Sequence, residues 1–82
     1  MSPDLFRSTR EANPFQPFII HMADGRSYPV PHRDFALQGP AGHRIVFVYR
    51  EDGSFSIIDL NLVNELEVPA PATPSAPGTN GG

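Results

Sequence analysis

Hydrophobic residues in this chain fall into short runs interrupted by Asp-Gly. One run, Phe18-Ile19-Ile20-His21-Met22, meets Asp24-Gly25 and resumes as Ser27-Tyr28-Pro29-Val30. Another, Ile45-Val46-Phe47-Val48-Tyr49, meets Asp52-Gly53 and resumes as Phe55-Ser56-Ile57-Ile58. Glycine reaches φ > 0 without a Cβ clash and aspartate tolerates that region, so each Asp-Gly marks a sharp reversal. The pattern predicts two β-hairpins. The strand over residues 44–50 is apolar at five consecutive positions. It is therefore expected either to be covered on both faces or to lie with one face on the core and one on a neighbour.

Before the first hairpin, Ser2-Pro3-Asp4 reads as a helix start. Serine caps free amides, proline fits the first helical position, and aspartate complements the positive helix end. Leu5, Phe6, Thr9 and Ala12 are predicted to share the buried side, and Arg7 and Glu11 to pair across one turn. Asn13-Pro14 ends the helix, because the residue before proline avoids the α region. Phe15 and Phe18 are expected to fill the gap between helix and sheet. Pro29 and Pro31 limit the second strand to a short or one-sided pairing. Residues 32–37 read as a turn or a single helical turn, residues 62–64 as one tight turn, and residues 66–68 as a short last strand.

The predicted fold class is mainly β: a short N-terminal α-helix followed by a five-stranded antiparallel small barrel. Its expected core is Leu5, Phe6, Phe18, Ile20, Tyr28, Val30, Ile45, Phe47, Phe55, Ile57, Leu62, Leu66 and Val68. The inward direction of Val46 and Val48 is left open. On this reading Phe47→Ala costs roughly 3–5 kcal/mol.

The chain has 82 residues, enough for one domain. Residues 69–82 carry four prolines, three glycines and no charge. Such a stretch has little to bury against the entropy of ordering it, so a disordered tail is expected after a domain over residues 1–68. A domain that small buries only about 60% of its unfolded surface and usually needs extra support. Cysteine is absent, which excludes disulfides and thiolate zinc sites and raises the expectation of self-association. The net charge is −3, unevenly spread. Residues 1–50 hold all six arginines against Asp4, Glu11, Asp24 and Asp34, a balance of +2, whereas residues 51–82 hold five carboxylates and no base, −5. An acidic total disfavours strong nonspecific nucleic-acid binding. No run approaches the roughly 20 apolar residues of a membrane span, so a cytoplasmic protein with no membrane contact is expected.

A short helix followed by bent strands, with one tight turn before the last, resembles the small SH3-like barrels and among them the Sm-like fold. Residues 19–28, with Asp24-Gly25-Arg26 and Tyr28, look like the first Sm signature, and residues 57–68 have the apolar rhythm of the second. Asp59-Leu60 stands where that second signature carries Arg-Gly, and Pro29 follows Tyr28 where the first places glycine. The resemblance therefore implies a barrel, and ring or dimer assembly through strand edges, without carrying over an RNA site. Asn13-Pro14-Phe15-Gln16-Pro17-Phe18, Asp24-Gly25-Arg26 and Val30-Pro31-His32 also look like a group of small bacterial proteins with no assigned function.

Three functional expectations follow. The leading one is a non-enzymatic protein-interaction or assembly module whose partner is itself, as a dimer or higher oligomer, or another protein; unguarded edges of the late strands favour this. An alternative is RNA or single-stranded nucleic-acid binding through Arg26, Arg33, His32, Tyr28 and Phe35, a basic and aromatic set suited to stacking bases and meeting phosphates. An enzyme or metal protein is the least favoured. His21, His32 and His43 recur every eleven residues, but equal chain spacing has no geometric meaning across hairpins. No phosphate loop or nucleophile elbow is present. No catalytic residue, metal ligand or cofactor is assigned.

Overall fold

The computed structural model describes residues 1–40 and 43–70. Ser2 caps helix α1 (Pro3–Arg10), its hydroxyl accepting the Leu5 amide at 3.1 Å. The face that packs shares Phe6 and half-buried Thr9 with the one expected, but Leu5 and Ala12 are exposed. Phe6 is the buried helical residue, and half-buried Pro3, Arg7 and Arg10 share its side. Positions 3, 6, 7 and 10 form the true helical stripe. The arginines qualify for it because their aliphatic stems cover apolar surface while their heads reach carbonyls. Arg7 donates to the Gly39 carbonyl at 3.0 Å and Arg10 to that of Ala36, which fasten the helix to the sheet. Arg7 and Glu11 approach to 3.5 Å as expected. The Asn13-Pro14 peptide bond is cis.

Strands β1 (Phe18–Met22) and β2 (Ser27–Val30) form the first hairpin, and β4 (Ile45–Tyr49) and β5 (Phe55–Asp59) the second. Both reversals occur where the sequence places them. Gly25 at φ +95° and Gly53 at φ +92° supply the left-handed residue of a three-residue loop. The Met22 amide donates to the Arg26 carbonyl across one loop at 2.7 Å, and the Arg50 amide to the Ser54 carbonyl across the other at 2.8 Å. Between the hairpins lie a 3-10 turn (Arg33–Phe35), within the stretch expected to hold a turn or a single helical turn, and β3 (Ala36–Gln38), a strand the sequence does not predict. A second 3-10 turn (Leu60–Leu62) starts two residues earlier than expected, and β6 (Val63–Glu67) is longer than the strand predicted there.

Six strands, rather than five, thus form two three-stranded antiparallel sheets, ordered β2-β1-β6 and β3-β4-β5. No strand ladder joins the two into a closed barrel among the described residues. The core between them is Phe6, Phe18, Ile20, Met22, Tyr28, Val30, Ala36, Val46, Val48, Ile58, Leu60 and Val63. The Phe6 and Phe18 rings meet edge to face at 5.9 Å, and half-buried Phe15 lies 6.0 Å from Phe18, the plug expected there.

The first sheet keeps the expected alternation. Phe18, Ile20 and Met22 point inward from β1 while Ile19 and His21 do not. In the second sheet the expectation inverts. Val46 and Val48 are buried, and Phe47, Phe55, Ile57 and Ile45, all expected in the core, are exposed. Leu62 and Val68 are exposed too, and Leu66 is half-buried. The inner row Ala36–Val48–Ser56 is made of small side chains, which fit against an interior already holding the rings of Phe6, Phe18 and Tyr28. A shift of one position in a strand exchanges its faces wholesale, so the two errors in β4 and β5 have one origin. The tail expected over residues 69–82 lies, beyond Ala70, outside the described residues. No helix is long and apolar enough to cross a membrane.

Candidate functional site

The inversion creates the most distinctive surface of the molecule. Register sets Leu37 beside Phe47 and Phe47 beside Ile57 in one row, with Tyr49 beside Phe55 on one side and Ile45 beside Asp59 on the other. All seven have the outward parity of β3, β4 and β5. Phe55 stands between two aromatic neighbours, its ring 5.9 Å from Phe47 and 5.4 Å from Tyr49 and nearly parallel to both. Phe55 is 50% exposed, Ile57 60% and Phe47 37%. Isolated exposed hydrophobics are ordinary, but a contiguous block of six is the mark of a contact surface. The outer face of the first sheet is more polar, presenting Ser27, Pro29, Glu65 and Glu67 around half-buried Ile19, with His21 Nε2 2.8 Å from Glu67 Oε1. The sequence signal for this surface is the unbroken apolar run of β4, one of whose two readings is a face against a neighbour.

A cavity of about 460 Å³ opens between β2 and the end of β4, lined by Tyr28, Pro29, Pro31, Phe35, Tyr49 and Arg50 among others. It brings together two of the five residues expected to bind nucleic acid, Tyr28 and Phe35. Tyr28 is largely buried, and the Arg50 guanidinium lies over its ring at 5.7 Å. His32 is at the rim of the 3-10 turn, its ring 5.8 Å from Phe35. Arg33 is turned to the helix end, donating to the carbonyls of Arg10 at 3.0 Å and Ala12 at 2.8 Å while covering the Phe15 ring. Arg26 sits at the first hairpin loop and lines a separate cleft of about 100 Å³ with Met22 and Leu62. Arg50 is absent from the set expected from sequence, since nothing local marks it as a neighbour of Tyr28.

Each of the six arginines is engaged by the fold. Arg7, Arg10 and Arg33 donate to backbone carbonyls. Arg26 pairs with Asp24 at 2.8 Å, Arg44 with Asp59 at 3.4 Å, and Arg50 donates to the hydroxyls of Ser54 and Ser56. The loop carboxylates are stabilised in turn. The Arg26 backbone amide, aided by its guanidinium, holds Asp24 below the ordinary 3.8. The Ser54 hydroxyl and then its amide do the same for Asp52, as the Asn61 amide and then Arg44 do for Asp59. Hydrogen bonds to the ionised form favour it, which is the sense of all three shifts.

Among the described residues, no three histidine or carboxylate side chains gather as a metal site would require. His21 and Ser27 face each other across β1 and β2 beside Glu67, but no hydrogen bond joins Ser27 to His21. In comparisons with known proteins, no family model, no curated protein and no solved structure matches this chain.

Proposed function

We propose that the chain is a non-enzymatic protein-interaction and assembly module, and that it meets a partner protein through the outer face of the β3-β4-β5 sheet. The observation that carries this reading is the exposed row Leu37–Phe47–Ile57 with the Tyr49–Phe55–Phe47 ring stack beside it. Large apolar side chains held outward while valines and a serine face in cost solubility unless something covers them. A protein partner fits better than nucleic acid. Phosphate recognition needs available cations, and the six arginines here are tied to carbonyls, hydroxyls or carboxylates in a chain of net charge −3.

The small-barrel reading of the architecture belongs to the same proposal. In this reading β2 and β3, separated by Pro31, His32 and the 3-10 turn, are two parts of one bent strand shared by the two sheets. The resulting order, β6, β1, β2 with β3, β4, β5, is that of a five-stranded Sm-like ribbon whose second strand is interrupted. β5 and β6 are then its free edges.

A photo-crosslinking residue placed at Ile57, and in a control at Ser27 on the first sheet, tests the reading in native host cells. The expected result is a discrete protein adduct from position 57 and none from position 27. Adducts to nucleic acid only, or none at position 57, would overturn it.

A further inference from the structure

The outer face of the second sheet is apolar across three strands, and its polar groups lie at its margins, at Tyr49 and Asp59. An equally broad apolar face covers it best. Among the described residues this face is itself such a surface, whereas the outer face of the first sheet sets half-buried Ile19 among carboxylates, a histidine, a serine and a proline. We infer that the partner seated on the β3-β4-β5 face is a second copy of this chain, packed sheet to sheet about a two-fold axis passing near Phe47. The inference rests on the interaction reading above and specifies its partner.

Three observations support self-pairing. Phe47 lies in the middle row of the middle strand, so an axis there superimposes the patch on itself and buries like on like, as an isologous contact requires. Sheets that pack this way stand about 10 Å apart with interleaved side chains. Area is the second. The six apolar residues leave roughly 400 Å² uncovered, at the level of the largest patches on monomers. Two such faces with their rims reach about 1,000 Å², the low end for a specific interface. The pair is therefore a dimer that dissociates on dilution rather than a permanent one.

Charge is the third, and it selects the direction. Arg44 marks one end of β4, where its guanidinium reaches round to Asp59, and Glu51-Asp52 marks the other. When the strands of two copies run parallel, the acidic loops meet each other. When they run antiparallel, the two acidic loops lie at opposite ends of the contact. The antiparallel arrangement avoids that like-charge meeting. A domain this small, with no cysteine, also gains the support it otherwise lacks.

Face-to-face packing differs from the strand-edge assembly expected from the sequence, and the two are separable. In a contact along the β5 edge, the two β4 strands lie about three strand spacings, about 14 Å, apart. Across the proposed axis they are direct neighbours. The absence of cysteine makes Phe47→Cys a unique thiol.

Sedimentation equilibrium of the full chain from about 5 to about 200 µM, a span suited to a small interface, is expected to carry the mass from 9.0 kDa toward twice that value. Ile57→Lys is expected to hold it at the monomer value with an unchanged circular dichroism spectrum. If that variant melts early, Phe55→Ser carries the same test. Phe47→Cys is expected to give a covalent dimer with a short bifunctional thiol crosslinker that spans the roughly 10 Å between packed sheets. A wild-type chain that stays monomeric, a dimer indifferent to both face variants, or a Phe47→Cys dimer whose introduced thiols do not join would each overturn the inference. A monomer whose position 57 still crosslinks to another protein leaves the interaction reading standing; a monomer with no adduct removes both.

Discussion

The β1–β2 and β4–β5 hairpins close through the same three-residue loop, with an aspartate accepting the amide two residues on and a glycine near φ +90°. Beyond the loops they diverge. Around β1 Phe18, Ile20 and Met22 point to the core, with Ile19 and His21 on the outer side. Around β4 Ala36, Val46, Val48 and Ile58 point in, while the phenylalanine rings with Leu37, Ile45 and Ile57 point out. Identical turn chemistry thus fixes where a ribbon reverses and says nothing about which face it buries. Facing is decided by what the interior has room for and by what waits outside.

The largest effects come from charging the two faces of β4. Val48→Asp puts an unpaired carboxylate at a fully buried site, which costs more than such a domain has to lose, and the chain is expected to unfold. Phe47→Asp, one residue away, is expected to retain a cooperative melt. Truncation gives the milder version. Phe18→Ala in the first sheet is expected to cost about 3–5 kcal/mol, whereas Phe47→Ala is expected to cost about 1 kcal/mol in the dilute chain, read by urea denaturation. Equal losses would erase the distinction between the sheets.

Next come the shared loops. Nothing lies within 4 Å of a methyl added at Gly25 or Gly53, so Gly25→Ala and Gly53→Ala test backbone conformation alone. Each is expected to cost about 1–2 kcal/mol, and the two about equally. Unequal losses would show that the hairpins differ at their loops as well as their faces.

The smallest effect is acid sensitivity. Asp24, Asp52 and Asp59 are held below 3.8 in the folded chain, so the folded state binds fewer protons than the unfolded one as pH drops. Their contribution is complete above 3.8 and disappears as pH falls through the lower folded values. All three are solvated, which keeps the effect small. Thermal melts between neutral and acidic pH are expected to show a loss confined to that acid range. Asp52→Asn is expected to reduce the acid loss at the second hairpin and Asp24→Asn that at the first.

Local chemistry is what the sequence carries well. Ser2-Pro3-Asp4, Asp24-Gly25 and Asp52-Gly53 act through atoms two or three residues away, and the helix start and both reversals lie where those residues place them. Packing direction is carried poorly. In Ile45-Val46-Phe47-Val48-Tyr49 every position is apolar, so period-two alternation has no polar phase to set it. Ser54-Phe55-Ser56-Ile57 has such a phase, and tertiary context overrides it. In α1 the charge of the arginines points to solvent, although their stems make the buried stripe with Phe6. The site is legible only as the alternative that one face of β4 meets a neighbour. The basic and aromatic set fails to form one surface because Arg26 and Arg33 are drawn to local carbonyl and carboxylate partners.

The facing of β4 underlies both the core and the proposed contact surface. Nuclear Overhauser spectra of the full chain, with valine methyls and phenylalanine rings labelled, read it most directly. The account predicts cross-peaks from the Val46 and Val48 methyls to rings of the core cluster that includes Phe6, Phe18 and Tyr28, and from the Phe47 ring to Phe55 but to none of those three. Cross-peaks from Phe47 into the Phe6, Phe18 and Tyr28 cluster, with the valines silent, would contradict it.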